Sequence, residues 1–137
     1  MTTATVKTLG IDVSNSPLEL IDTIRKGLKK EAVDRLSEAL EIGPPEISRF
    51  LHISPRTLHR YKPGETLSLD VSDHLFQVFK VYERAVEVFG GNKKALRWLK
   101  YPSLALGNTA PLDLLDTSAG VEMVVDELGR IEYGVFA

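Results

Sequence analysis

The chain has 137 residues, no cysteine, and 17 Lys and Arg against 19 Asp and Glu, for a net charge of -2. That length holds one domain or two very small ones and excludes a large two-domain enzyme, while the absence of cysteine excludes disulfides, a thiol nucleophile and thiolate zinc sites. With 43% hydrophobic and 26% charged residues it has a globular composition. No apolar run approaches the ~20 residues that cross a bilayer and Met1 to Ser14 lacks an export-signal pattern, so a cytoplasmic address without membrane contact is expected.

Residues 1–15, rich in Thr, Val and Ser without a period, read as a flexible arm. Ser16-Pro17-Leu18-Glu19 then supplies an N-cap, a proline at the first helical position and a capping-box glutamate, and Leu18, Ile21, Ile24 and Leu28 continue at helical spacing. A second helix from Glu31 to Leu40 carries Val33, Leu36 and Leu40 inward and stops at Gly43-Pro44-Pro45. A short helix from Pro45 to Leu51 buries Ile47, Phe50 and Leu51, His52-Ile53 makes a turn, and Ser54-Pro55 opens another helix that Pro63-Gly64 ends. The longest periodic stretch runs from Asp70 to Phe89, with Val71, Leu75, Val78, Tyr82, Val86 and Phe89 on one face, and stops at Gly90-Gly91. Asn92 is expected to cap a helix through Trp98 and Leu99, with Trp98 at the centre of a core. Pro111 to Leu115 makes a short turn, Ser118 to Leu128 a last helix, and Ile131 to Ala137 alternates like a short extended segment. The fold class is all-α with one strand-like end.

Charge is uneven along this series. Residues 43–62 carry four cations and one acid, whereas residues 110–137 carry six acids and one cation. Two short helices joined by a tight turn, the second opening Ser-Pro-Arg-Thr, have the layout of a helix-turn-helix, whose second helix enters the major groove with cationic and polar residues outward. Ile47, Phe50, Ile53 and Leu58 supply its inner face, and Arg49, Arg56, Thr57, His59, Arg60 and Lys62 are the candidate DNA contacts. Arginine forks suit guanine edges, and Thr57 and Lys62 suit the backbone. An ordinary surface helix with three cations gives no reason for paired short helices with a cap at the turn. One such helix buries little surface, so a homodimer is expected, with the Asp70–Phe89 helix as the candidate partner face.

Further along, Phe89-Gly90-Gly91-Asn92-Lys93-Lys94-Ala95-Leu96-Arg97-Trp98-Leu99, Pro102, Leu106-Gly107, Pro111-Leu112-Asp113-Leu114-Leu115-Asp116-Thr117, Gly120, Val124 and the run Gly129 to Ala137 resemble the toxin-binding domain of the Xre/MbcA/ParS antitoxin family. Ser54 to Arg60 with Leu67-Ser68 is similar to the same family's helix-turn-helix. The resemblance implies an Xre-like helix-turn-helix domain over residues 16–67 and a small helical toxin-binding domain with an extended tail over residues 68–137. It also implies an antitoxin of a type II toxin–antitoxin system, which covers the active site of a RES-domain toxin that degrades NAD+ or transfers its ADP-ribose. As a homodimer bound to toxin it would repress its own operon through the helix-turn-helix. The toxin-facing candidates carried over are Asp116, Glu122, Asp126, Glu127, Arg130, Glu132, Tyr133, Val135 and Phe136. A cleft that holds the phosphates of NAD+ is cationic, and an acidic segment complements it. Three positions depart from the family: Asn108 stands where a second glycine is frequent, and Tyr61 and His74 stand where arginine is common, which puts operator contacts in doubt more than toxin binding.

Enzymatic readings find little here. Asp113 and Asp116 suit capping better than acid–base work, the three histidines are too scattered for a metal set, and Gly90-Gly91 follows no strand and is helix punctuation. Neither a cofactor nor a metal is expected. The alternative function is a stand-alone dimeric transcription regulator whose C-terminal domain serves dimerisation, with a small hydrolase behind it. The Tyr133–Ala137 tail could also pack on its own domain.

Overall fold

The computed structural model describes residues 16–134. Among them are seven α-helices and no strand: α1 (Pro17–Lys26), α2 (Lys30–Leu40), α3 (Pro44–Leu51), α4 (Pro55–Arg60), α5 (Leu69–Phe89), α6 (Asn92–Lys100) and α7 (Ser118–Tyr133). Two 3-10 turns, Leu104–Leu106 and Pro111–Leu114, lie between α6 and α7. The chain divides into two compact units between Phe79 and Lys80, so α5 supplies its first half to one and its second half to the other.

Local chemistry starts the helices of the first unit. Ser16 Oγ accepts from the Glu19 N–H at 3.3 Å with Pro17 at the first helical position, so α1 begins where its cap signal stands. Ile24 and Leu28 are buried as the spacing requires, but Leu18 is 78% exposed and Ile21 is exposed too; helical periodicity alone cannot tell an inward stripe from an outward one on a short terminal helix. Val33, Leu36, Leu40, Ile47, Phe50, Leu51, Leu58, Val71 and Leu75 form the core of this unit. Two extended stretches tie its ends together: Leu67 N–H donates to Leu28 O at 2.8 Å, Lys30 N–H to Glu65 O at 2.9 Å, and Leu28 N–H to the buried Ser72 Oγ at 2.8 Å. Gly27, at φ 103, makes that approach possible, since a Cβ there would run into the Leu67 carbonyl and the Thr66 methyl.

In the second unit Ala95, Leu96, Leu99, Leu112, Leu115, Val124 and Leu128 are buried. Trp98 is only half-buried and lies at the rim against Phe89, ring centroids 5.5 Å apart, so Leu99 rather than Trp98 occupies the centre. Asn92 is the first residue of α6 and Gly91 its uncapped N-cap position, in place of the side-chain cap that Asn92 would have given. The last helix does not stop at Leu128: α7 runs on to Tyr133 and ends at Gly134 in the left-handed conformation, so Ile131 to Tyr133 are helical rather than extended. The rest of the expected tail, and the expected arm over residues 1–15, lie outside the described residues.

Candidate functional site

The turn between α3 and α4 is set by backbone geometry. His52, at φ 60, ends α3 with its N–H donating to Arg49 O at 3.3 Å and the Ile53 N–H donating to Ser48 O at 3.2 Å, which stops a helix within one residue. Ser54 then caps α4: its Oγ accepts from the Thr57 N–H at 3.0 Å and donates to Thr57 Oγ1 at 2.9 Å. Leu58 is buried as the inner anchor, and Arg56, Thr57, His59 and Arg60 are exposed. Four residues apart on a helix is about 40° around the axis, so Arg56 and Arg60 leave from one side of α4. Thr57 is bound into the cap, which leaves its hydroxyl proton as the group available to a phosphate.

Lys62 follows on the loop after α4, and α2 positions that loop. The Gly64 N–H donates to the two carboxylate oxygens of Glu31 at 2.9 and 3.2 Å, and this bond holds the Glu31 carboxyl below its usual range. The Lys62 N–H closes on Glu65 Oε2 at 3.1 Å. Arg49 is exposed on α3, its guanidinium carbon 4.9 Å from the Phe50 ring centroid. All six candidate DNA contacts therefore sit on α3, α4 and the loop beyond it. His74 is a packing position: it is buried and meets the exposed His52 edge-on, ring centroids 5.5 Å apart.

The second candidate face is built on α7. Thr117 Oγ1 accepts from the Gly120 N–H at 3.0 Å, and a Cβ at Gly120 would overlap the Leu114 carbonyl, so the helix starts in direct contact with the preceding 3-10 turn. Val124 and Leu128 point inward from there. Glu122, Asp126 and Tyr133 are exposed, lie within about 40° of one another around the axis, and are flanked by exposed Met123, Val125 and Arg130.

The remaining toxin-facing candidates are placed differently. Glu127 is 8% exposed and accepts from Arg130 Nε at 3.0 Å. Glu132 is clamped by Arg84 of α5, which donates to its two carboxylate oxygens at 2.6 and 2.7 Å; the guanidinium holds that carboxyl below its usual range and the carboxylate raises the Arg84 pKa in turn. Asp116 is half-buried in the turn before α7. Val135 and Phe136 lie outside the described residues. Sequence reasoning missed Arg84, because its partner is 48 residues away and no local spacing announces the pair. Among the described residues no group of three His, Asp or Glu could hold a metal ion, and no helix is long and apolar enough to cross a membrane.

Residues 19–80 match the family described as the antitoxin Xre-like helix-turn-helix domain, and residues 84–134 match the antitoxin Xre/MbcA/ParS C-terminal toxin-binding domain. Fold and matched domains together define an antitoxin with a helix-turn-helix and a toxin-binding domain. "Antitoxin Xre" of Yersinia enterocolitica is 32% identical over 138 residues, spanning 99% of this chain and 93% of that protein. "Antitoxin Xre" of Photorhabdus laumondii is 32% identical over 131 residues, spanning 94% and 88%. The chain belongs to the Xre antitoxin family. The crystal structure of the M. tuberculosis MbcT-MbcA toxin-antitoxin complex contains a chain of the same fold, with a TM-score of 0.57 and 21% identity over 79% of this chain and 96% of that one.

Proposed function

We propose that this antitoxin binds and neutralises a RES-domain toxin that degrades NAD+ or transfers its ADP-ribose, and that it represses its own operon by binding DNA. Residues 16–67 form the DNA-reading part and residues 68–137 the toxin-binding part, with residues 1–15 as an arm. The observation that carries this reading is a pair of exposed, oppositely charged helix surfaces in a chain with both matched domains: Arg56 and Arg60 on one side of α4, and Glu122 and Asp126 with Tyr133 along α7. That the MbcA relative was solved in a toxin-antitoxin complex supports a toxin partner.

Arg56 and Arg60 contact base edges, Arg49, Thr57, His59 and Lys62 contact sugar and phosphate, and a homodimer places two such helices on two half-sites. The apolar residues of α5, such as Val71, Leu75, Val78 and Val81, are buried. Exposed apolar side chains available to a dimer contact include Leu18 and Ile21 on α1 and Leu69 at the start of α5. Glu122, Asp126 and Tyr133 meet the toxin directly; Glu127, Arg130 and Glu132 hold the end of α7 through their pairs, and Val135, Phe136 and Asp116 belong to the same toxin contact. The protein acts in the cytoplasm, as a binding protein rather than an enzyme. Arg56→Ala with Arg60→Ala should abolish binding to the operon's promoter DNA in a gel-shift assay while leaving toxin neutralisation intact; loss of both together would show that the two faces are not separate.

A further inference from the structure

Helix α6 reads Asn92-Lys93-Lys94-Ala95-Leu96-Arg97-Trp98-Leu99-Lys100. Its apolar residues turn inward, and Lys93, Lys94, Arg97 and Lys100 are all exposed. At 100° per residue the four cations fall within an arc of about 120°. No acidic residue occurs between Glu87 and Asp113. Among the described residues Lys93, Lys94 and Arg97 have no ion-pair partner.

This arrangement works against the helix that carries it. Lys93 and Arg97 are four residues apart, and Lys94 and Arg97, like Arg97 and Lys100, are three apart, so like charges face one another along the surface. Lys93 and Lys94 also occupy the first turn, where the helix dipole disfavours cations. An anionic partner removes both penalties.

We propose that this face of α6 is a second, sequence-independent contact for the phosphate backbone of duplex DNA, additional to the reading helix α4. A polyanion fits better than an acidic protein surface, because three of the four cations are lysines, which are depleted from protein–protein interfaces and common as phosphate contacts. Lys93 and Lys94 to Arg97, and Arg97 to Lys100, rise about 4.5–6 Å along the helix axis, so one face offers charge to several phosphates at once. Tyr101, 71% exposed immediately after the helix, adds a hydroxyl that can donate to a phosphate oxygen.

The inference goes beyond the reading of α4, and the two fail separately. The test uses the full chain, its Lys93→Ala/Lys94→Ala/Arg97→Ala variant and its Arg56→Ala/Arg60→Ala variant, each titrated against a labelled mixed-sequence DNA duplex between about 50 and 200 mM salt. Removing three phosphate contacts should lower the magnitude of the slope of log K against log salt by about 2–3 and weaken binding to every sequence alike. Alanine favours a helix and relieves the repulsion, so the midpoint of thermal unfolding should not fall. An unchanged salt slope overturns the proposal even if the α4 variant loses binding. If the α4 variant binds normally while the α6 variant does not, the α6 face stands and the reading of α4 falls. If the α6 variant loses binding to a purified RES-domain toxin and keeps its DNA slope, the face is a protein contact and the proposal is overturned.

Discussion

Gly120 shows how one missing atom places a functional helix. Its neighbours would accept alanine by helix propensity, but the Leu114 carbonyl occupies the space of a Cβ, and neither the carbonyl nor the capped first turn of α7 can withdraw. Gly120→Ala should therefore destabilise the protein by more than about 2 kcal/mol, read as a lowered urea midpoint; an unchanged midpoint would mean that α7 slides freely on the turn beneath it. Gly129 is the useful contrast, since a Cβ there meets nothing within 4 Å and α7 passes through it without a break. Sequence alone shows two glycines nine residues apart and does not distinguish the tight one from the open one.

Among the elements, most helix starts were legible because their signals are local. Ser16 and Ser54 cap as their proline-containing motifs predict, and the apolar spacing of α5 places that helix to within a residue. The end of α7 was not legible, because Ile131-Glu132-Tyr133 alternates as a strand would and its helical state is favoured by a bond to Arg84, far away in sequence. That bond has a pH signature. The Glu132 carboxyl is held below its ordinary value of 4.5, so the pair adds stability above that pH and the contribution is lost as pH falls through the lower folded value. Arg84→Ala should thus lower the urea midpoint at neutral pH, with the difference from wild type shrinking away as the pH falls through the lowered folded value of Glu132. A difference that persists undiminished in acid would show that Arg84 acts through its aliphatic packing and not through its charge.

Over the whole molecule, the net charge of -2 is an average over faces of opposite sign. Coarse segment sums expose the cations of α4 and the acids of α7 but not the cations of α6, which share their segment with Glu65, Asp70, Asp73, Glu83 and Glu87. Burial sorts them further: Glu127 is buried against Arg130 and Glu132 is committed to Arg84, so the acidic surface offered to a partner is narrower than the sequence suggests. In the proposed complex a cationic toxin cleft would be met by Glu122 and Asp126. The most direct test is NAD+ consumption by a purified RES-domain toxin, the partner class proposed above, measured with no antitoxin, with the full chain, with Glu122→Lys/Asp126→Lys, and with Gly134 to Ala137 deleted. The full chain should stop NAD+ loss and the two altered chains should permit it; NAD+ loss that proceeds equally with and without the full chain would contradict the account.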